Sequence, residues 1–167
     1  MSPRPGRIVE RVLVVCEAEA LRGVLLAHSD DAGERWTPMT RIDAPAGVDG
    51  WTKTPAVAAS PTGVIVVTYY GRGADTASRC HHLYATSSVD GGNTFLPSVQ
   101  VSSRPSCPET GTNGSAVSSR FPSGGEYSGL VAVGPRDFVA VWADSRDGLF
   151  QLRSARISVP DAASEPP

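Results

Sequence analysis

Two stretches of this chain share one spacing. Ser29-Asp30-Asp31-Ala32-Gly33-Glu34-Arg35-Trp36 and Ser88-Val89-Asp90-Gly91-Gly92-Asn93-Thr94-Phe95 both read Ser-x-Asp-x-Gly-x-(Thr/Arg)-aromatic, and they begin 59 residues apart. A carboxylate followed two residues later by glycine suits a tight hairpin: the Asp side chain caps the N–H groups of the turn, and the Gly takes the positive φ. The closing aromatic is expected to tuck the turn against the next strand. Each copy follows a β-like run, so the repeat predicts a recurring strand–turn–strand unit. Because these residues are occupied in shaping a turn, they mark a fold rather than an active site.

A second repeat has a different period. Val57-Ala58-Ala59-Ser60-Pro61 matches Val131-Ala132-Val133-Gly134-Pro135, Val64-Ile65-Val66-Val67 matches Phe138-Val139-Ala140-Val141, and Arg72 matches Arg146, all at an offset of 74 residues. β-Branched runs between Gly, Pro and Asp turns place strands near 8–17, 23–29, 37–42, 55–60, 63–70, 81–88, 97–102, 127–133, 137–144 and 149–157. Combined, the repeats give one whole four-stranded antiparallel unit over about 51–102, with strands A (55–60), B (63–70), C (81–88) and D (97–102). A partial unit stands on either side.

Composition agrees and excludes several classes. Gly 17 and Pro 14 suit a turn-rich all-β chain. The formal net charge is −2 and the 15 Lys and Arg are scattered, so no nucleic-acid partner is expected. The apolar run before Cys16 is too short for a signal peptide or a membrane span; neither is read, and localisation stays open. No metal or cofactor motif is visible. Of the three cysteines, Cys16 is expected as a buried thiol, while pairing of Cys80 with Cys107 is left open, since spacing does not supply geometry.

The Ser-x-Asp-x-Gly-x-Thr-aromatic turn resembles the Asp box of sialidase-like (BNR/Asp-box repeat) β-propellers, complete in the second copy and carrying Arg35 for Thr in the first. Closed propellers use about four to eight blades. The family has six, so the resemblance implies the C-terminal half: a partial, about three-blade β-propeller over 1–157, followed by a disordered tail over 158–167. A gene fragment, a head-to-tail homodimer closing six blades, or an open sheet stack would each accommodate a half-propeller; the fragment is the expectation.

In antiparallel blades the connections after A and C lie at one end and those after B and D at the other. The Asp-box turns take the first end. The second receives the long loops 43–54 (with Trp51), 71–80 (with Arg72, Asp75 and Arg79), 103–126 (with Arg104 and Arg120) and 144–148 (with Arg146), and long loops on a rigid scaffold carry function. Guanidinium forks hold a ligand carboxylate well.

The resemblance implies an exo-glycosidase on terminal sialic acid or related acidic sugars, with a Tyr nucleophile, an exception to the two-carboxylate rule. Tyr127-Ser128-Gly129-Leu130 resembles the segment carrying that tyrosine. Tyr127 is thus the catalytic candidate. Arg79, Arg104, Arg120 and Arg146 are the carboxylate-binding candidates, with Trp51 to stack on a sugar ring. Against this stand plainer roles: a strand-capping Tyr127, and an Arg146 paired to Asp144 as a repeated structural ion pair. The family's first arginine and acid aspartate would lie in blades absent here, so the enzyme remains one reading beside a non-catalytic propeller binding glycan or protein through the same loops.

Overall fold

A computed structural model describes residues 11–18, 23–43, 52–72, 80–107 and 127–161. Among the described residues, ten strands form three antiparallel sheets. The first holds β1 (Val12–Ala18), β2 (Gly23–Ser29) and β3 (Thr40–Arg41). The second runs β4 (Thr52–Ala59), β5 (Ile65–Gly71), β6 (His82–Ser88) and β7 (Val99–Gln100), and the third runs β8 (Gly129–Ala132), β9 (Asp137–Asp144) and β10 (Gln151–Ser158). The ten strands follow the order expected from sequence.

β3 and β7 are much shorter than the expected 37–42 and 97–102. Each of those segments has a proline near its start, Pro38 and Pro97, which cannot donate to a ladder. β4 starts earlier than expected and takes Pro55 into a register shift between Lys53 and Ala56, a bulge being where a strand tolerates proline. Thr54 within it has φ 53°, a costly conformation for a β-branched residue.

The three sheets stack face to face, and β5 shows why. Its seven residues Ile-Val-Val-Thr-Tyr-Tyr-Gly are all buried, a continuous pattern expected when both faces of a strand are covered. One face sends Ile65, Val67 and Tyr69 to meet Val24, Leu26 and Ile42 of the first sheet. On the other side, Val64 and Val66 pack with Phe138 and Val159, and Tyr70 packs with Ala140 and Trp142 of the third sheet. Trp142 thus lies between sheets. Each such side chain taken fully out of water contributes roughly 1.5–3 kcal/mol, so the central sheet organises the core. The third sheet's far face leaves Val131, Val141 and Leu152 exposed.

Two expectations need correction. Cys16 is a free, half-buried thiol 3.8 Å from the Met39 sulfur, because it lies on the face of β1 turned away from Leu13 and Val15, which pack against the core. The expected tail also begins inside the fold. Ser158 completes β10, and Val159 is buried, its N–H bonded to Arg136 O at 3.0 Å.

Both Ser-x-Asp-x-Gly segments fold into the same turn. Ser29 Oγ accepts from Gly33 N at 2.8 Å and donates to Asp31 Oδ1 at 2.8 Å, which also accepts from Arg35 N at 2.8 Å. In the second turn Ser88 Oγ accepts from Gly92 N at 2.8 Å and donates to Asp90 Oδ1 at 2.7 Å. Thr94 then donates twice to Asp90, from N at 3.0 Å and from Oγ1 at 2.6 Å. The Thr94 hydroxyl bond, absent where Arg35 stands, is the leading cause holding the Asp90 carboxyl far below the usual carboxylate range.

Gly33 and Gly92 have φ +92° and +95°. Phe95 packs against the core. Trp36 does not: 43% exposed, it lies over its own turn, where its indole N–H finds Gly33 O at 3.0 Å. Arg11 joins the two turns, donating to Asp30 at 2.6 Å and to Gly91 O.

Candidate functional site

Strand register sorts the connections into two ends. Ile65 pairs Ser88 at the end of the Asp turns, and Gly71 pairs His82 and Thr52 at the other. In the third sheet Gly129 pairs Val141, so Tyr127, two residues before Gly129, lies toward the Asp144 end of β9. Ser128 Oγ reaches Thr54 O at 3.4 Å, which brings the starts of β4 and β8 together.

The second end is held by a covalent and hydrogen-bonded chain. Cys80 and Cys107 form a disulfide, settling the pairing that sequence left open. Just inside it His81 and Ser106 exchange backbone bonds of 2.9 and 2.8 Å. The Ser106 hydroxyl is 3.1 Å from that of Ser145 and accepts from Ser145 N at 3.0 Å. These contacts fasten the loop after β7 to the loop after β9, and the next residue is Arg146.

Arg146 is committed to a buried partner. Its Nε donates to Asp144 Oδ1 at 2.9 Å and its Nη2 to Oδ2 at 2.6 Å, while Trp142 Nε1 donates to Oδ2 at 3.0 Å. Burial works to raise the Asp144 carboxyl, but the bonds from Arg146 and Trp142 outweigh it and hold it below the ordinary range. The Arg146 and Asp144 side chains are 11% and 1% exposed. Only Nη1 points elsewhere, to Ser103 Oγ at 3.1 Å.

Arg104 differs. Its side chain is 63% exposed and meets the half-exposed Asp147 at 3.3 Å, a surface pair worth about 0–1 kcal/mol, with a long bond of 3.4 Å to Arg146 O beside it.

Tyr127 is 89% exposed, and among the described residues none hydrogen-bonds its hydroxyl. The structure therefore gathers Tyr127, Arg104 and Arg146 at one end. Arg79, Arg120 and Trp51 lie outside the described residues, as does Asp75.

A second ion pair at this end was not anticipated. Arg41 Nε meets Asp43 Oδ1 at 2.8 Å, with Asp43 fully buried. A Cβ at Gly23 would sit 2.6 Å from Arg41 Nε and 2.7 Å from Asp43 Oδ1, so glycine is what lets the pair form. The available signal was Arg-x-Asp, the reverse of Asp144-x-Arg146. Behind these groups Tyr70 donates to Ala143 O at 3.1 Å, and His81 meets its ring edge-on at 4.9 Å.

No family model and no curated protein matches the chain. Solved structures do. A Hadza microbial sialidase aligns with TM-score 0.50 and 17% identity over 81% of this chain and 29% of that one. An intramolecular trans-sialidase from Ruminococcus gnavus, solved with oseltamivir carboxylate, gives 0.48 and 14% over 90% and 31%. The leech intramolecular trans-sialidase gives 0.49 and 15% over 90% and 22%. The chain thus spans less than a third of each of these proteins. At such identities the likeness concerns the fold: the chain is all-β and sialidase-like in fold.

Proposed function

We infer that this chain is part of a sialidase-like β-propeller of Asp-box blades that engages the carboxylate of a terminal acidic sugar, such as sialic acid, at the end bearing Tyr127 and Arg104. The observation that carries this reading is an exposed tyrosine and a weakly paired, exposed arginine at the same end, opposite the Asp turns. A four-stranded sheet stacked between two three-stranded ones, with β4 in contact with both β1 and β8, supports the propeller arrangement.

In this reading Arg104 leaves Asp147 for the ligand, with Arg79 and Arg120 on the neighbouring loops as further donors and Trp51 as a stacking surface. Arg146 mainly fixes the loop, and its Nη1 edge is the part offered to ligand. Tyr127 attacks the anomeric carbon as nucleophile while the bond to the leaving oxygen breaks, its phenolic proton passing to a carboxylate base outside the described residues; a neutral hydroxyl is not repelled by the adjacent carboxylate. An acid to protonate the leaving group comes from residues beyond those described. Closure by a second copy would cover Val131, Val141 and Leu152.

The test is turnover of a fluorogenic sialoside, alongside direct binding of the same sialoside. Turnover that is lost in Tyr127→Phe while binding persists supports the catalytic reading. Binding without turnover, weakened in Arg104→Ala, supports the same face as a glycan-binding surface. Absence of both overturns the assignment.

A further inference from the structure

A cleft of about 420 Å³ runs between the first two sheets, lined by none of Tyr127, Arg104 or Arg146. That size is typical of small-ligand sites. Its apolar lining includes Leu26, Ile42 and Phe95. His28 and Thr37 line both this cleft and a groove of about 280 Å³ that Trp36 borders, so the two form one continuous trough.

Three observations define what the trough would hold. Trp36 is an exposed aromatic whose indole N–H is already spent on Gly33 O at 3.0 Å, which orients the ring as a platform. The charges are balanced: Arg41 against Asp43 at 2.8 Å, Arg11 against Asp30 at 2.6 Å, and the Arg35 guanidinium, which no described carboxylate pairs, sharing its groove with Asp30 and Asp31. Neutral polar groups remain. Asn93 uses its amide N–H on Asp90 O at 2.7 Å, and no described residue engages its Oδ1; Thr40 Oγ1 makes one long contact of 3.4 Å to Pro38 O.

We propose that this trough is a binding site for a neutral saccharide, with Trp36 as the stacking platform and His28, Thr40 and Asn93 as hydroxyl partners. An anionic ligand would meet the Asp30 and Asp31 carboxylates in the same groove as Arg35. A wholly apolar one would strand Asn93 Oδ1 and the His28 ring without hydrogen bonds, which is costly. A neutral sugar offers an apolar C–H face to the indole and hydroxyls to the rim, the pairing an amphipathic aromatic favours. The proposal is independent of the acidic-sugar reading, which concerns other residues.

The experiment is calorimetric titration of the intact protein with lactose, maltose and cellobiose. At least one is expected to saturate with Kd on the order of 1 mM. Trp36→Ala should weaken it about tenfold, the scale of one aromatic contact. Thr40→Val leaves both Asp turns untouched and should weaken it about threefold, the scale of one neutral hydrogen bond. Failure of all three sugars to saturate, or wild-type affinity in both variants, overturns the proposal. So does displacement of the bound disaccharide by free sialic acid, since the two ligands would then share one site.

Discussion

The Cys80–Cys107 disulfide fastens the end of the fold that carries the candidate site, and its contribution can be worked from the chain it closes. The two cysteines are 27 residues apart, enclosing β6, the second Asp turn and β7. Cross-linking a loop of that length removes about 12 cal/mol/K of chain entropy from the unfolded state, or about 3.5 kcal/mol at room temperature. Cys80→Ala/Cys107→Ala should therefore lower the stability by about that amount. With a urea dependence of about 2 kcal/mol/M, the unfolding midpoint should fall by about 2 M.

The assay is urea unfolding followed by tryptophan fluorescence, with and without reductant. Reduced wild-type protein should match the double variant, and the variant itself should not respond to reductant, because Cys16 is free. A midpoint shift below about 0.5 M would refute the entropic reasoning. It would mean that the His81–Ser106 bridge and the Ser106–Ser145 contacts already confine the loop in the unfolded ensemble.

Other consequences follow from buried groups. Burial pushes the Tyr69 and Tyr70 hydroxyls up to about 12 from an ordinary 10.0. Phenolate then forms first in the unfolded chain, so the stability these rings contribute is whole below pH 10 and is lost as pH rises toward 12; parallel phenolate-absorbance and circular-dichroism titrations should show ionisation coinciding with unfolding. Asp144→Ala leaves the Arg146 guanidinium and the Trp142 N–H without their buried acceptor and should cost about 3–5 kcal/mol in thermal or urea unfolding. Gly92→Ala forces a Cβ at φ +95° to 3.3 Å from Ile65 Cδ1 and should cost about 1–3 kcal/mol, whereas Gly63→Ala, at φ +83° with open space around it, should sit at the low end of that range.

Much of the fold was legible because its signals are local. The β-branched runs around Val64–Val67 and Phe138–Val141 mark strands buried on both faces or alternating cleanly, and Ser88, Asp90, Gly92 and Thr94 state a turn whose hydrogen bonds close within five residues. The separation of two ends follows from antiparallel register alone. Less legible were features that depend on distance in space. The pairing of Cys80 with Cys107, and the Arg41–Asp43 pair admitted by Gly23, require knowing which strands become neighbours. The closing aromatic was expected to tuck each turn against the next strand; Phe95 packs against the core, whereas the indole N–H of Trp36, which Phe lacks, finds an acceptor on its own turn. Arg146 shows the limit for the site: its sequence context serves a carboxylate clamp and a buried ion pair equally, and only the 2.6 Å contact to Asp144 shows where its guanidinium is spent.

The central claim is that the end bearing Tyr127 and Arg104 recognises an acidic sugar. The most direct measurement is a two-dimensional amide NMR titration of the protein with free sialic acid. The account predicts saturable shifts at residues 102–107, 127–128 and 144–147 together with Trp51, Arg79 and Arg120, abolished in Arg104→Ala. Saturable shifts confined to the Asp-turn residues 29–36 and 88–95, or none at any position, would contradict it.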